Sequence, residues 1–120
     1  YLLIILSLGL FSAFHFGLDI PLSAPLHGLT IGGICRMVLA MITRVSLGHT
    51  GRTLQVGSFI TFGYIALALS AIVRVMAPLL TSPSSSLYVV SAGCWIFGYL
   101  TFVIIYWPIL TKPRADGRPG

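Results

Sequence analysis

The sequence predicts an all-α integral membrane protein with four transmembrane helices in two antiparallel hairpins. Three observations predict it. Hydrophobic residues make up 57% of the 120 residues and charged residues only 8%, where a water-soluble domain carries roughly a quarter charged residues. Mean hydropathy is +1.01. The apolar residues fall into four stretches of membrane-spanning length, separated by breaks containing proline, glycine and serine, which suits a bilayer solvent.

The first span is expected at about residues 1–18 and is broken by Leu18-Asp19-Ile20-Pro21-Leu22-Ser23. The second is expected at about 24–44, with Ser23 as N-cap, Pro25 in the first turn, and Gly48 and Gly51 closing the C-terminal end. A third span, about 54–77, stops at Pro78, and Thr81-Ser82-Pro83-Ser84-Ser85-Ser86 reads as a polar loop. The fourth, about 87–107, is expected to stop at Pro108. The four spans form one transmembrane domain over 1–110, and 111–120 is a loose polar tail.

With four spans, the loop between Arg44 and Gln55 lies on the same side as the tail. That side holds Arg44, Arg52, Lys112, Arg114 and Arg118. The excess of basic residues there predicts that both termini are cytoplasmic. Tyr88 at one edge and Tyr106-Trp107 at the other are expected to form interfacial aromatic belts. The net charge of +5 is explained by this orientation, and nucleic-acid binding is not expected. Cys35 and Cys94 sit inside apolar spans and read as buried thiols without a disulfide. Gly28-Leu29-Thr30-Ile31-Gly32, with Gly33, Gly63, Ala66, Ser70, Ser91, Ala92, Gly93 and Gly98, permits close helix packing.

Ionisable side chains inside a membrane are costly and call for a reason. His15, His27 and Arg74 each lie about three residues, or roughly 5 Å, inside the same end of their spans. Spans one and two are joined by a short loop, so His15 and His27 are candidate ligands of one haem or metal. Arg74 and Arg36 are candidate partners for a cofactor carboxylate. The plainer alternatives are interfacial histidines bonded to water or a carbonyl, and an arginine that reaches for the headgroups with Asp19 as its partner.

Arg36 falls near mid-membrane, nine residues from His27 and therefore on nearly the opposite helix face. It is expected between helices, on a propionate, a polar path or a helix break. Met37 and Met41, with Cys35 nearby, read as gap fillers, with ligation of Cu(I) as the alternative. His49 in Gly48-His49-Thr50-Gly51-Arg52 is too far from His27 to share its metal. It is a separate metal candidate on the cytoplasmic side, in a run that reads as a glycine-capped turn or as an anion-binding backbone. Two acids in the whole chain exclude paired-carboxylate catalysis, and no phosphate loop, CxxC or HExxH is present.

The stretch Ala24-Pro25-Leu26-His27-Gly28-Leu29-Thr30-Ile31-Gly32-Gly33, followed by Leu39-Ala40-Met41-Ile42-Thr43-Arg44-Val45-Ser46-Leu47-Gly48-His49-Thr50-Gly51-Arg52, resembles the NnrS family. These are longer polytopic proteins of the bacterial inner membrane that contain haem and copper and are linked to the nitric oxide response. The resemblance is strongest over residues 24–54, and the chain looks like the C-terminal four spans of such a protein. The usual Arg-Pro after the last glycine is Arg52-Thr53 here. The resemblance implies haem b or copper, with His27 and His49 at motif positions. Two functions follow as expectations. One is an NnrS-like haem or metal protein of nitric oxide or denitrification metabolism. The other is a non-catalytic subunit of a larger respiratory complex, held to other membrane subunits or to its own copies through small-residue faces. A transporter half-unit using Arg36 is a third reading.

Overall fold

The computed structural model describes residues 1–80 and 85–117. All regular structure among them is helical: α1 (Leu2–His15), α2 (Ser23–His49), α3 (Ser58–Met76) and α4 (Ser85–Leu110). Three of these helices are long and apolar enough to cross a membrane, α3 by continuing through a tight turn at Ala77–Leu79. Helix α1 has 14 residues, about 21 Å, and falls short of a hydrocarbon core of roughly 30 Å. Large apolar side chains point outward all along the bundle, among them Phe59, Ile104 and Trp107. Only lipid solvates such a surface well, and the chain is a multi-pass membrane protein.

The boundaries depart from expectation where local chemistry decides them. Helix α1 stops three residues early because Gly17 adopts φ +85. The Gly17 and Leu18 amides then donate to Phe14 O and Ala13 O, a Schellman ending. Helix α2 runs five residues past Arg44 and ends the same way at Gly51, φ +68. There the Gly51 and Arg52 amides donate to Gly48 O and Leu47 O. Ser23 is not the N-cap: Leu22 holds that place in helical geometry, and Ser23 begins the helix. Pro108 does not stop α4, which continues to Leu110. So near the end, the missing amide costs one bond, and the Thr111 amide still donates to Trp107 O. The expected loop at 81–86 lies mostly outside the described residues; Ser85 and Ser86 already belong to α4.

Residues Gly28–Cys35 of α2 form wide turns of π type. Three glycines in six positions soften the helix there and let α1 approach. A side chain at Gly28 would run into Ser7, and one at Gly33 would stand 3.1 Å from Ile4. This segment packs against both α1 and α3. The widest seam joins α3 to α4, where Gly63, Ala66, Leu67 and Ser70 meet Ser91 and Gly98, while Ala71 faces Gly32 of α2. The expected use of small residues is seen at those positions, whereas Ala92 and Gly93 face outward.

At one end of the bundle Leu47, Ile60 and Tyr106 form a buried cluster, with Phe102 stacked on Tyr106 at 4.7 Å. Tyr106 is therefore a core residue and not part of an aromatic belt. Trp107 beside it is exposed. The tail, as far as Gly117, is docked and not loose: the Ala115 amide donates to Thr50 O at 2.9 Å, and Arg114 pairs with Asp116.

Candidate functional site

The residues with chemical potential divide between two ends and the middle of the bundle. His27 stands one turn into α2. Its Nδ1 lies 2.6 Å from Ser23 O. A carbonyl can only accept, so Nδ1 is the donor, and the neutral form of such a ring keeps the lone pair on Nε2. That is the tautomer in which histidine ligates a metal through Nε2.

His27 opens on a cavity of about 370 Å³ between α2, α3 and α4, lined also by Ile31, Ser70, Arg74, Ser91 and Trp95. Ser70 and Ser91 close its floor reciprocally. Ser70 Oγ donates to Ser91 O at 2.8 Å, and Ser91 Oγ donates to Ser70 O at 2.9 Å. Arg74, in the last turn of α3, lays its guanidinium 4.7 Å from the Tyr88 ring centroid. Its Nε is buried and has no hydrogen-bond partner. Asp19, its expected partner, makes no ion pair with it; among the described residues the only ion pair is Arg114–Asp116. No carboxylate lines the cavity. The site therefore offers one imidazole nitrogen, one cation with a spare donor, and an aromatic wall.

His15 does not line this cavity. It is exposed in the last turn of α1, with Nδ1 at 3.0 Å from Phe11 O and its ring against Phe11 and Phe14. His27 and Arg74 are brought together, and His15 is left outside. His49 is 22 residues beyond His27, roughly 30 Å along the helix, in a separate cavity with Arg44 and Arg114. Arg36 lines a third cavity, about 250 Å³, with Ile4, Gly32, Gly33, Met37 and Tyr64, and its Nε is also buried without a partner. Met37 and Met41 are 61% and 59% exposed, so they are not filling gaps between these helices. Cys35 and Cys94 are free thiols. Among the described residues no three His, Cys, Asp or Glu side chains gather to hold a metal ion.

Composition could not reveal the hydroxyl pair Ser70–Ser91 or the bond from Tyr99 Oη to Cys35 O, 3.0 Å, at the end of the wide turns. The signal for the first was the small-residue spacing on both helices. The second has none in one dimension, because its partners are 64 positions apart.

The family profile described as NnrS protein matches residues 1–114, nearly the whole chain. The chain belongs to the NnrS family. Within the NnrS match lie all three cavities and both unpartnered arginines. Searches of curated proteins and of solved structures find no match.

Proposed function

We propose that this NnrS protein binds haem b, or less favourably copper, at His27 and serves nitric oxide or denitrification metabolism in the bacterial inner membrane. One observation carries the reading: the free Nε2 of His27 shares a cavity with Arg74, whose buried Nε has no partner. An axial imidazole and a propionate partner are what haem asks of a helical bundle. The fit is partial, since the cavity supplies one imidazole and no thiolate, which favours haem over copper. Bound haem would supply an iron centre able to bind a diatomic gas or pass an electron. His27 would hold that iron through Nε2, with Ser23 O fixing the ring; Arg74 would neutralise a carboxylate; Trp95 and Ile31 would keep water away. His15 lies outside this cavity, so it would not join His27 on one iron as the helices stand, and with its own free Nε2 it is a separate candidate ligand. His49 stands as a separate candidate.

The test is the absorption spectrum and metal content of protein purified from membranes. A Soret band is expected, lost or shifted in His27→Ala, weakened in Arg74→Gln, and kept in His49→Ala. A protein with no Soret band after haem reconstitution, or with an unchanged one in His27→Ala, overturns the assignment. Arg36 favours a second reading, an accessory subunit of a larger respiratory assembly. Its Nε is unpartnered and neither Asp19 nor Asp116 lines its cavity, so a carboxylate brought by another subunit would suit it. Co-purification with an oxidase or reductase supports that reading, and a stable lone monomer in detergent counts against it.

A further inference from the structure

The end of the bundle opposite His27 gathers its own charges. The C-terminal turns of α2, the following loop and the tail border an open, shallow cavity of about 370 Å³, lined by Arg44, Val45, Gly48, His49, Leu54 and Arg114. No acid lines it. The backbone there is already committed, because the Gly51 and Arg52 amides close the helix end and the Ala115 amide bonds Thr50 O. An anion at this place must therefore be held by side chains and not by the glycine-rich backbone.

The basic residues at this end have different employment. Arg52 donates from Nη1 to Ile109 O at the end of α4, 3.4 Å, a cation on a helix C-terminus. The α2 dipole likewise accounts for His49 in the last turn. It does not account for Arg44, more than a turn further back, or for Arg114, which arrives from the tail. Arg114 is held in place by Asp116 through two bonds of 2.9 and 2.6 Å. Even with His49 neutral, two guanidinium groups outweigh that one carboxylate. Val45 and Leu54, 47% and 54% exposed, add an apolar lip.

We propose that this cavity binds a phosphate group, with Arg44 and Arg114 as charged donors and His49 as a third contact. Guanidinium groups suit phosphate oxygens in geometry and charge, and basic pockets beside membrane helices hold anionic headgroups. The proposal stands independently of any cofactor at His27. The phosphate belongs either to a lipid headgroup, for which the apolar lip would receive the glycerol, or to a small soluble phosphate.

The full chain in detergent is titrated with dioctanoyl phosphatidylglycerol, dioctanoyl phosphatidylcholine and inorganic phosphate, and bound species are counted by native mass spectrometry. Saturable one-to-one binding is expected for the first or the third and not for the neutral-headgroup lipid. Arg44→Ala and Arg114→Ala are each expected to weaken it by about tenfold or more. Lys112→Ala removes an equal charge outside the cavity and is expected to change it by less than about twofold. Phosphatidylglycerol binding that inorganic phosphate does not displace assigns the site to lipid; equal binding of inorganic phosphate alone assigns it to a soluble ligand. If Arg44→Ala loses its helical circular dichroism, Arg114→Ala, beyond the end of α4, decides. No saturable binding by either probe, wild-type affinity in Arg114→Ala, or an equal loss in Lys112→Ala overturns the proposal.

Discussion

Replacing Gly98 by alanine puts a methyl group into the tightest part of the α3–α4 seam. Its Cβ would lie 2.8 Å from Leu67 Cγ, 3.0 Å from Leu67 Cδ2 and 3.1 Å from Gly63 O. Relaxed carbon contacts need about 3.5–4.0 Å. Leu67 is fully buried and has no free space to turn into, and Gly63 O belongs to a helix backbone. Either the helices part or Leu67 leaves its rotamer, which costs about 1–3 kcal/mol. Alanine's better helix propensity returns at most about 1 kcal/mol. Gly93, five positions earlier on α4, would meet nothing within 4 Å and is the control. In reversible unfolding by rising dodecyl sulfate in mixed micelles, Gly98→Ala is expected to lose about 1–2 kcal/mol. Gly93→Ala should stay within about 0.5 kcal/mol of wild type. Equal stability of the two variants would refute the claim that glycine sets this seam. The Ser70–Ser91 pair sits seven residues from the glycine pair on each helix, about 10 Å away. Parting the helices therefore loosens the floor of the His27 cavity as well.

Gly51→Ala meets two obstacles, a φ of +68 and the Asp116 carboxyl carbon 2.6 Å from the new methyl. It is expected to cost about 1–3 kcal/mol, and limited proteolysis should cut the tail near Arg114 faster than in wild type. A Ser70→Ala, Ser91→Ala double-mutant cycle should give a coupling of about 0.6 kcal/mol and not above roughly 1.7, the range for hydrogen bonds between membrane helices; additivity would mean that the hydroxyls act separately. Tyr99→Phe removes the donor to Cys35 O and is expected to cost about 1 kcal/mol, with faster amide exchange confined to the wide turns Gly28–Cys35. Unchanged exchange there would mean that the tyrosine does not hold that segment.

The sequence made the class of fold plain because lipid-facing helices need long apolar runs, and each run here ends in a recognisable break. It erred at Gly17, whose backbone angle ends α1 early, and at Pro108, where a rule for helix interiors does not govern a last turn; Gly51 does close α2 as expected, although the span was drawn only to Arg44. The depth argument correctly brought His27 and Arg74 to one level, and the cavity they share rewards it. Depth carries no angular information, however. It could not tell that His15 turns back onto Phe11 while Arg74 turns toward α2 and α4. The wide turns added to the difficulty, since they shift the phase of α2 between His27 and Arg36 and make a fixed 100° per residue unreliable. Tyr106 was misread for a similar reason: its neighbour Trp107 faces outward, and only the contact with Leu47 and Ile60 makes the tyrosine a core residue.

Charge balance narrows the functional question further. Asp19 and Asp116 are the whole acidic content of the chain. One stands in the turn before α2, and the other is engaged with Arg114. Neither lines the cavity of Arg36 or of Arg74, yet both of these arginines carry a buried Nε without a partner. A cation at the middle of a span, where Arg36 is expected, costs about 2.5–3.5 kcal/mol on insertion scales, so an acceptor for its Nε would stabilise the protein. Arg74 shares its cavity with the His27 imidazole. Arg36 has Tyr1, Tyr64, Met37 and aliphatic walls around it and no imidazole. Arg36→Leu and Arg74→Leu therefore probe separate cavities: the haem reading expects a Soret band weakened only in Arg74→Leu, and equal weakening in both would refute that division.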